Sequence, residues 1–330
     1  MIIDNLLKWD EGNESILPLQ VDFSHFIHYI ACPRFWFYRY VLALQPQDWL
    51  PSVDLVCGSS WHAGMEAGYL AMKEDPYVDP QQLVDISLEG AEAKWHEASQ
   101  GQLQLDEGWP KSFEAVVRNL QQYWWHYATV HADQEILAVE HPFSIPVLPE
   151  LPLLYGTIDL ISRDVYRERM IVTEHKTAKS LAQKWQSLWE NSFQLEAYPV
   201  AVRMHYHELP EVCVSGSLFN KTCGAKFLRL WYNYPEDRLV RFWYELIYRM
   251  QQLHQDTRRL IEEVRSGNNV QAAFPRQQSA CHQFRTCQFY TLCTHDINPR
   301  KWASNPPAGW TYNYEKSIYN RKEVDDAAQG

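Results

Sequence analysis

The chain has 330 residues, of which 46% are hydrophobic, and its formal net charge is −11. Its acidic pI, near 5.6, argues against a protein that coats DNA indiscriminately, because such a protein presents a basic face. No apolar run reaches the ~18 residues of a membrane span, and residues 1–9 lack the pattern of a signal peptide. We therefore expect a cytoplasmic protein without a membrane partner.

The hydrophobic pattern predicts a helical first part followed by strands. Residues 22–45, which are rich in aromatics and arginine, are predicted as a helix, and residues 62–135 as a mostly helical insertion before the sheet. A long helix is predicted over 236–266, ending at Gly267. Strands are predicted over residues 136–147, 153–163, 169–177, 212–220 and 225–233, with a turn at 222–224.

Charged side chains fall in two neighbouring predicted strands. Asp159 follows Gly156-Thr157-Ile158, and Glu174-His175-Lys176 follows an apolar β-branched run. Since successive side chains of a strand point to opposite faces, Glu174 and Lys176 share one face and His175 points away. If the strands pair, two carboxylates meet, and they repel each other unless a cation lies between them. Magnesium or manganese, which prefers oxygen ligands, is the predicted occupant.

A solvated surface pair is the alternative, because an exposed E-x-K on a strand is common and contributes little. The apolar residues before Glu174 and around Asp159 instead predict core strands. Charges are rarely placed in a core without a partner. This context favours a catalytic group.

Five segments in chain order carry a resemblance to a known family. They are Ala31-Cys32-Pro33-Arg34, Gly58-Ser59-Ser60-Trp61-His62, Asp159 with Glu174-x-Lys176, Gln194-x-x-x-Tyr198, and Cys281, Cys287 and Cys293. Together they resemble the PD-(D/E)xK nuclease core in its RecB-like branch, which includes the AddAB nucleases, the CRISPR-associated RecB-like exonucleases and many phage exonucleases. Each motif alone is weak, whereas the ordered set, which spans residues 22–295, is specific.

The resemblance implies an α/β fold with a PD-(D/E)xK restriction-endonuclease-like core, in which helices flank a central mixed β-sheet. It also implies that Asp159, Glu174 and Lys176 are catalytic and that Gln194 and Tyr198 line the active site. Because Gln194 and Tyr198 are four residues apart, they share one face of a helix. Pro199 is expected to kink or interrupt that helix.

The resemblance further assigns a metal site to His62, Asp159 and Glu174, and to the backbone carbonyl of His175. His62 is predicted early in a helix; a single histidine is otherwise more often packed or exposed than a ligand of a hard cation. Glu140 lies in the predicted strand before the catalytic pair. It is a secondary metal candidate, with a solvated edge-strand glutamate as the alternative.

Three cysteines lie within a C-x5-C-x5-C segment, Cys281 to Cys293. In the cytosol disulfides are disfavoured, so such a group suggests a metal site, although buried small apolar residues are the alternative. The spacing is not the C-x2-C of a zinc ribbon. The resemblance adds Cys32 as a fourth ligand and implies a 4Fe-4S cluster that staples the N- and C-terminal segments together; zinc, with His282 or His295, stays an alternative. The remaining cysteines are predicted to be structural: Cys57, Cys213 and Cys223.

These observations predict a single RecB-like nuclease domain over residues 1–302, followed by an extended, partly disordered tail over 303–330. The predicted parts of the domain are a helical insertion at 62–135, a catalytic sheet core at 136–235, a long helix at 236–267 and a cysteine segment at 276–296. Candidates for DNA contact are Arg34, Lys179 and Tyr198.

The predicted function is that of a metal-dependent DNA phosphodiesterase, an exonuclease acting on single strands or DNA ends in recombination, repair or phage DNA processing. The resemblance places it in a bacterial or phage-infected cell. The chain lacks the G-x-x-x-x-G-K-[ST] motif, so unwinding requires a separate helicase or recombination protein. Two alternatives are a non-catalytic iron–sulfur DNA-binding or adaptor protein that keeps the fold, and a zinc-stabilised interaction module.

Overall fold

The computed structural model describes residues 20–99, 111–219, 224–267, 273–282, 286–295, 302, 305–313 and 317. Cys223, most of the predicted turn at 222–224 and most of the predicted tail lie outside these residues. Within them, none of the helices has the length and apolar character needed to cross a membrane.

The α-helices flank the sheet and are numbered in chain order. They are α1 Phe23–Ala31, α2 Pro33–Trp36, α3 Val53–Glu74, α4 Pro80–Ser99, α5 Phe113–His126, α6 Ala128–Ala132, α7 Gln183–Glu190, α8 Phe193–Tyr206, α9 Glu236–Ser266 and α10 Tyr290–His295. A π-helical segment, Phe37–Val41, follows α2, and a 3-10 helix, Gln278–His282, precedes α10.

The strands confirm the predicted mixed sheet. They are β1 Gln20–Asp22, β2 Leu44–Pro46, β3 Gln134–Ile145, β4 Leu153–Asp164, β5 Arg169–Ala178, β6 Glu211–Leu218, β7 Lys226–Tyr232 and β8 Trp310–Tyr312. The main sheet has the order β1-β4-β5-β6-β7, with β3 also on β4. β4 runs antiparallel to β5, and β5 runs parallel to β6. β2 and β8 form a separate antiparallel pair.

The prediction of one helix over residues 22–45 is wrong. Cys32 has an extended backbone, with φ −160° and ψ 104°, and separates α1 from α2. Pro33 follows it, and a proline disfavours the helical conformation of the residue before it. The predicted long helix is confirmed as α9, and Gly267 beyond its end has a φ of 70°, a conformation that glycine adopts without strain.

The chain divides into two compact units. The described residues of the first lie within Met1–Trp49, Ser144–Gly156 and Arg241–Gly330, and those of the second within Leu50–Phe143 and Thr157–Val240. The core of the first unit is aromatic: Phe37 stacks on Phe274 at 5.2 Å, and Tyr38 contacts Trp302 at 5.8 Å.

The second unit has two apolar clusters. One joins Trp61 of α3 with Trp124 of α5, and the other joins Val172 of β5 with Leu195 of α8. Gly68 lets α3 pack closely, since a Cβ there would lie 2.2 Å from Trp124 Cζ2. These two clusters fix the helices that carry the functional side chains described below.

Candidate active site

His62 lies in the middle of α3, facing β4. Ser52 begins this helix, with its hydroxyl accepting a hydrogen bond from the Leu55 N–H, so the prediction that His62 lies early in a helix is wrong. Because Ser52 lies ten residues before His62, the helix begins upstream of the Gly58–His62 motif. His62 Nδ1 lies 3.4 Å from Asp159 Oδ2.

Asp159 is held by two partners. Its Oδ2 accepts a hydrogen bond of 2.7 Å from the His175 N–H and also faces His62. Burial, the largest single effect, raises the pKa of Asp159, but the His62 imidazolium and smaller contributions from neighbours such as Lys176 together lower that pKa to about 2. Burial likewise lowers the pKa of His62, but Asp159 outweighs it and raises the pKa to about 9. In the metal-free protein the two groups form an ion pair.

Glu174 and Lys176 share one face of β5, as the strand period predicts, and form an ion pair through Glu174 Oε1, in which Glu174 is buried and the Lys176 side chain is 24% exposed. The Tyr198 hydroxyl donates a 2.6 Å hydrogen bond to Glu174 Oε2, and Gln194 Nε2 lies 3.3 Å from Oε1. Burial and the nearby Asp159 raise the pKa of Glu174. Burial alone lowers the pKa of Lys176, but Glu174 outweighs it and raises that pKa.

α8 presents Gln194 and Tyr198 together, as their four-residue spacing predicts, and Gln194 Nε2 lies 2.7 Å from the Tyr198 hydroxyl. Pro199 lies inside α8 and does not interrupt it, contrary to that part of the prediction. Tyr198 is 1% exposed, and its hydroxyl donates to Glu174. The hydroxyl of Tyr198 is therefore engaged by Glu174, and its predicted contact with DNA stays a prediction.

Glu140 joins the site from β3. Its φ of 44° is unusual for a residue other than glycine, which is a conformation often found at functional sites. One ligand atom each from His62, Glu140 and Asp159 lies within 4.8 Å of the other two. Burial, and after it Asp159, raises the pKa of Glu140 to about 7. Two carboxylates and one imidazole at this separation fit a divalent cation.

Glu174 and His175 do not belong to that group of three among the described residues. The His175 imidazole points to the other face of β5, as predicted, and packs 5.5 Å from the Tyr69 ring and 5.9 Å from Tyr123. Burial lowers its pKa to about 3, so it is neutral. The ligand roles assigned to Glu174 and to the His175 carbonyl stay predictions.

Two residues beside the site carry no motif and were missed in the sequence. The Trp189 ring on α7 lies 5.3 Å from Lys176 Nζ, so the ammonium lies between Glu174 and an aromatic face. Lys111 precedes α5 and donates a 2.9 Å hydrogen bond to Thr177 Oγ1, next to Lys176 in β5. Neither lies at a fixed spacing from the catalytic residues, so only the three-dimensional structure identifies them.

The four predicted cluster cysteines all lie in the first unit and are free and partly exposed. Gln277 contacts two of them: its N–H lies 3.5 Å from Cys32 Sγ, and its carbonyl oxygen 3.8 Å from Cys281 Sγ. Burial raises the pKa of Cys287, and the thiols of Cys32, Cys281 and Cys293 raise it further. Among the described residues, the sulfur atoms of these cysteines do not form a group of three within 4.8 Å of one another. Cysteine thiolates are ligands for an iron–sulfur cluster or zinc, and the cluster stays a prediction.

Arg34 lies beside this cysteine group. Its Nε donates a 2.6 Å hydrogen bond to the Phe274 carbonyl, and its charge acts to lower the pKa of Cys293, although burial raises that pKa overall. Its predicted contact with DNA stays a prediction. Cys57 and Cys213 are buried in the second unit, as expected of structural cysteines.

The sequence profile described as the PD-(D/E)XK nuclease superfamily matches residues 22–294, which is most of the chain. The chain belongs to the PD-(D/E)XK nuclease superfamily. Nucleases of this superfamily use divalent metals, and His62, Glu140 and Asp159 provide a site whose donors suit one.

Among solved structures, the chain is similar to a protein described as a "Putative exonuclease" from Eubacterium rectale. The two are 12% identical, the match covers 66% of this chain and 79% of the other, and the TM-score is 0.35. No curated protein sequence matches the chain.

Proposed function

We propose that this PD-(D/E)XK nuclease is a RecB-like, metal-dependent deoxyribonuclease, and that it is an exonuclease acting on single strands or DNA ends. The observation that carries the proposal is the ion pair between the buried Glu174 and the partly buried Lys176, beside the His62, Glu140 and Asp159 ligand group. Burying charges is costly, and the fold gains little from them that apolar residues could not provide. A catalytic role accounts for that cost.

His62, Glu140 and Asp159, with Glu174 as a further ligand, are the residues proposed to hold Mg²⁺ or Mn²⁺. A bound divalent ion supplies positive charge at the phosphate and at the leaving oxygen. The Lys176 ammonium orients the attacking water or stabilises the charge that develops on the phosphate. Tyr198 and Gln194 hold Glu174, and Glu174 in turn holds Lys176 toward the reacting group.

The cysteine group is proposed to hold a 4Fe-4S cluster through Cys32, Cys281, Cys287 and Cys293. Four free thiols from two separate segments of the first unit support this assignment. The cluster stabilises the unit and takes no part in the cleavage. Iron and sulfide analysis of anaerobically purified protein tests the assignment against zinc.

We place the activity in recombination, repair or phage DNA processing in the cytoplasm of a bacterial or phage-infected cell. A separate helicase or recombination protein supplies unwinding where ends are paired. These assignments are based on the resemblance of the motif set to the RecB-like nucleases.

The test is cleavage of end-labelled single-stranded and duplex DNA in Mn²⁺, Mg²⁺ or EDTA. We expect metal-dependent products with the wild type, and none with Lys176→Ala. Lys226→Ala is the matched control, because Lys226 is an exposed lysine of β7 and its loss leaves the site intact. Product lengths separate exonuclease from endonuclease action.

An absence of cleavage by folded, cluster-loaded wild type in both metals contradicts the proposal. Binding of DNA without cleavage then favours the adaptor protein. Zinc in place of iron and sulfide, with neither cleavage nor DNA binding, favours the interaction module.

A further inference from the structure

Two lysines of the second unit share one carboxylate. Lys111 Nζ lies 3.2 Å from Asp54 Oδ1, and Lys179 Nζ lies 3.3 Å from Asp54 Oδ2. Together the three side chains carry a formal charge of +1. We call Lys111 and Lys179 the lysine pair.

The two lysines differ in exposure. The Lys111 side chain is 7% exposed and is fixed by Asp54 and by the Thr177 hydroxyl, whereas Lys179 is 41% exposed. An ammonium is buried at considerable cost unless it is paired. Asp54 is the carboxylate that both ammonium groups contact, and the three side chains together carry one net positive charge, which attracts an anion.

The carboxylate that the two lysines share belongs to a groove of about 510 Å³ that also contains the metal ligands His62 and Glu140; Lys94 lines this groove, and Lys111 and Lys179 reach it through Asp54. Asp54 lines this groove together with Ser59, His62, Glu66 and Glu140. Asp54 and His62 are two turns apart on α3, which is about 12 Å along the helix axis.

Strand β5 also lies next to both the catalytic residues and the lysine pair. Lys176 and Thr177 lie in this strand, and Lys179 follows it directly. Thr177 accepts a hydrogen bond from Lys111 on the face of β5 opposite to Lys176, so the end of one strand carries both Lys176 and a partner of Lys111. A strand of DNA with one phosphate at the metal ligands can therefore place another phosphate at the lysine pair.

We propose that Lys111 and Lys179 form a subsite for a backbone phosphodiester of the DNA strand, a few nucleotides from the bond that is cleaved. The inference rests on the proposed nuclease function. Lysines act as point charges toward phosphate, and the buried Lys111 is pre-positioned by Asp54 and Thr177. Lys179, which is more exposed, meets the strand first.

The test is the salt dependence of DNA binding. We would measure binding of a short single-stranded oligonucleotide without a 5′-phosphate, in EDTA, to the full chain at several salt concentrations. Each phosphate contact contributes about 0.7 to the slope of log affinity against log salt for a single strand. Lys179→Ala should reduce the slope by about 0.7, and Lys179→Arg should restore it.

Lys226→Ala removes a lysine of equal charge on β7 and should leave the slope unchanged. Lys111→Ala should also reduce the slope, but the buried position makes its folding uncertain, so Lys179 carries the test. An equal slope for wild type and Lys179→Ala overturns the subsite. An equal loss of slope in Lys226→Ala also overturns it, because the effect is then one of net charge.

Cleavage by the wild type, measured in parallel, separates this inference from the proposed function. Cleavage with an unchanged slope in Lys179→Ala rejects the subsite and leaves the nuclease assignment in place. If the wild type neither cleaves nor binds DNA, the proposed function is rejected and the subsite with it.

Discussion

The carboxylate site of the second unit and the cysteine site of the first unit differ in how their side chains are held. Asp159 and Glu174 extend from long strands and accept hydrogen bonds of 2.7 and 2.6 Å from the His175 N–H and the Tyr198 hydroxyl. Cys281 lies in a 3-10 helix of five residues, and its sulfur has a contact of 3.8 Å to the Gln277 carbonyl oxygen. The first site is therefore ordered by the fold, whereas the proposed cluster site draws its ligands from short elements.

Because the two sites are held differently, we expect loss of the bound metal to have a different effect at each site. Where packing already orders the ligands, an ion adds charge and chemistry but little to the fold. Where ligands come from short elements, the free energy of metal binding is largely free energy of folding. Removing the divalent ion should therefore abolish cleavage, whereas removing the cluster should destabilise the first unit.

The largest expected effect is that of Asp159→Asn. Asparagine keeps the acceptor for the His175 N–H but loses the charge that pairs with His62 and holds a cation. We expect the single-turnover cleavage rate to fall by about 10²–10³-fold, as for loss of one electrostatic catalytic group. The melting temperature, followed by circular dichroism, should fall only modestly, because the ion pair between Asp159 and His62 is lost. A large loss of stability with this variant would contradict the view that packing orders the site.

Cys281→Ser should mainly lower the stability of the protein, whereas Asp159→Asn should mainly lower the cleavage rate. We expect loss of iron and sulfide and a fall in the free energy of unfolding on the order of a few kcal/mol. Chemical denaturation and metal analysis of anaerobic protein measure both. Cys57→Ala is the matched control, since Cys57 is buried in the second unit and should leave the metal content unchanged. Full stability of Cys281→Ser would show that the thiols do not depend on a ligand.

Local patterns predicted the parts of both sites that depend on neighbours in sequence. The shared face of Glu174 and Lys176 follows from the period of two in a strand, and that of Gln194 and Tyr198 from the helical turn. The break at Cys32 was also encoded locally, in Pro33, but the aromatic run around it suggested an uninterrupted helix.

Distant contacts were not predictable in the same way. Glu140 was only a secondary candidate, because its place beside His62 depends on β3 pairing with β4 and on a backbone φ of 44°. Lys111 reaches Thr177 from a position 66 residues earlier, and no spacing rule connects them. Such contacts arise from tertiary packing, which a motif does not record.

The third prediction concerns the pH dependence of stability that arises from His131, a buried histidine of the second unit. Burial, and after it the Arg229 charge, lowers the pKa of His131 well below its usual value, and its Nε2 lies 3.0 Å from Arg229 Nη2. The unfolded chain binds a proton here below about pH 6.5, whereas the folded chain does not. The contribution of His131 to the free energy of unfolding is therefore fully present above about pH 6.5 and decreases as the pH falls.

This single histidine should contribute about 1.4 kcal/mol of unfolding free energy per pH unit below pH 6.5. Urea denaturation between pH 5 and 7, a range chosen around the ordinary histidine pKa of about 6.5, measures the slope. His131→Gln should reduce it, and His96→Gln, at an exposed position of α4, should not. An equal slope in wild type and His131→Gln would mean that His131 is protonated in the folded chain.

The smallest expected effect is that of Tyr198→Phe, which removes one hydroxyl and keeps the buried ring. Glu174 then loses its 2.6 Å hydrogen bond but keeps Lys176 and Gln194. A hydrogen bond to a charged group contributes about 1.5–3 kcal/mol, so we expect cleavage to slow by about tenfold or more, at about 1.4 kcal/mol for each factor of ten. Tyr77→Phe, at a side chain that is 93% exposed, is the control and should cleave like the wild type. Because Tyr198 is 1% exposed and its hydroxyl donates to Glu174, we expect the affinity for an uncleaved strand in EDTA to stay the same. A weaker affinity with unchanged cleavage would instead support the predicted contact of Tyr198 with DNA.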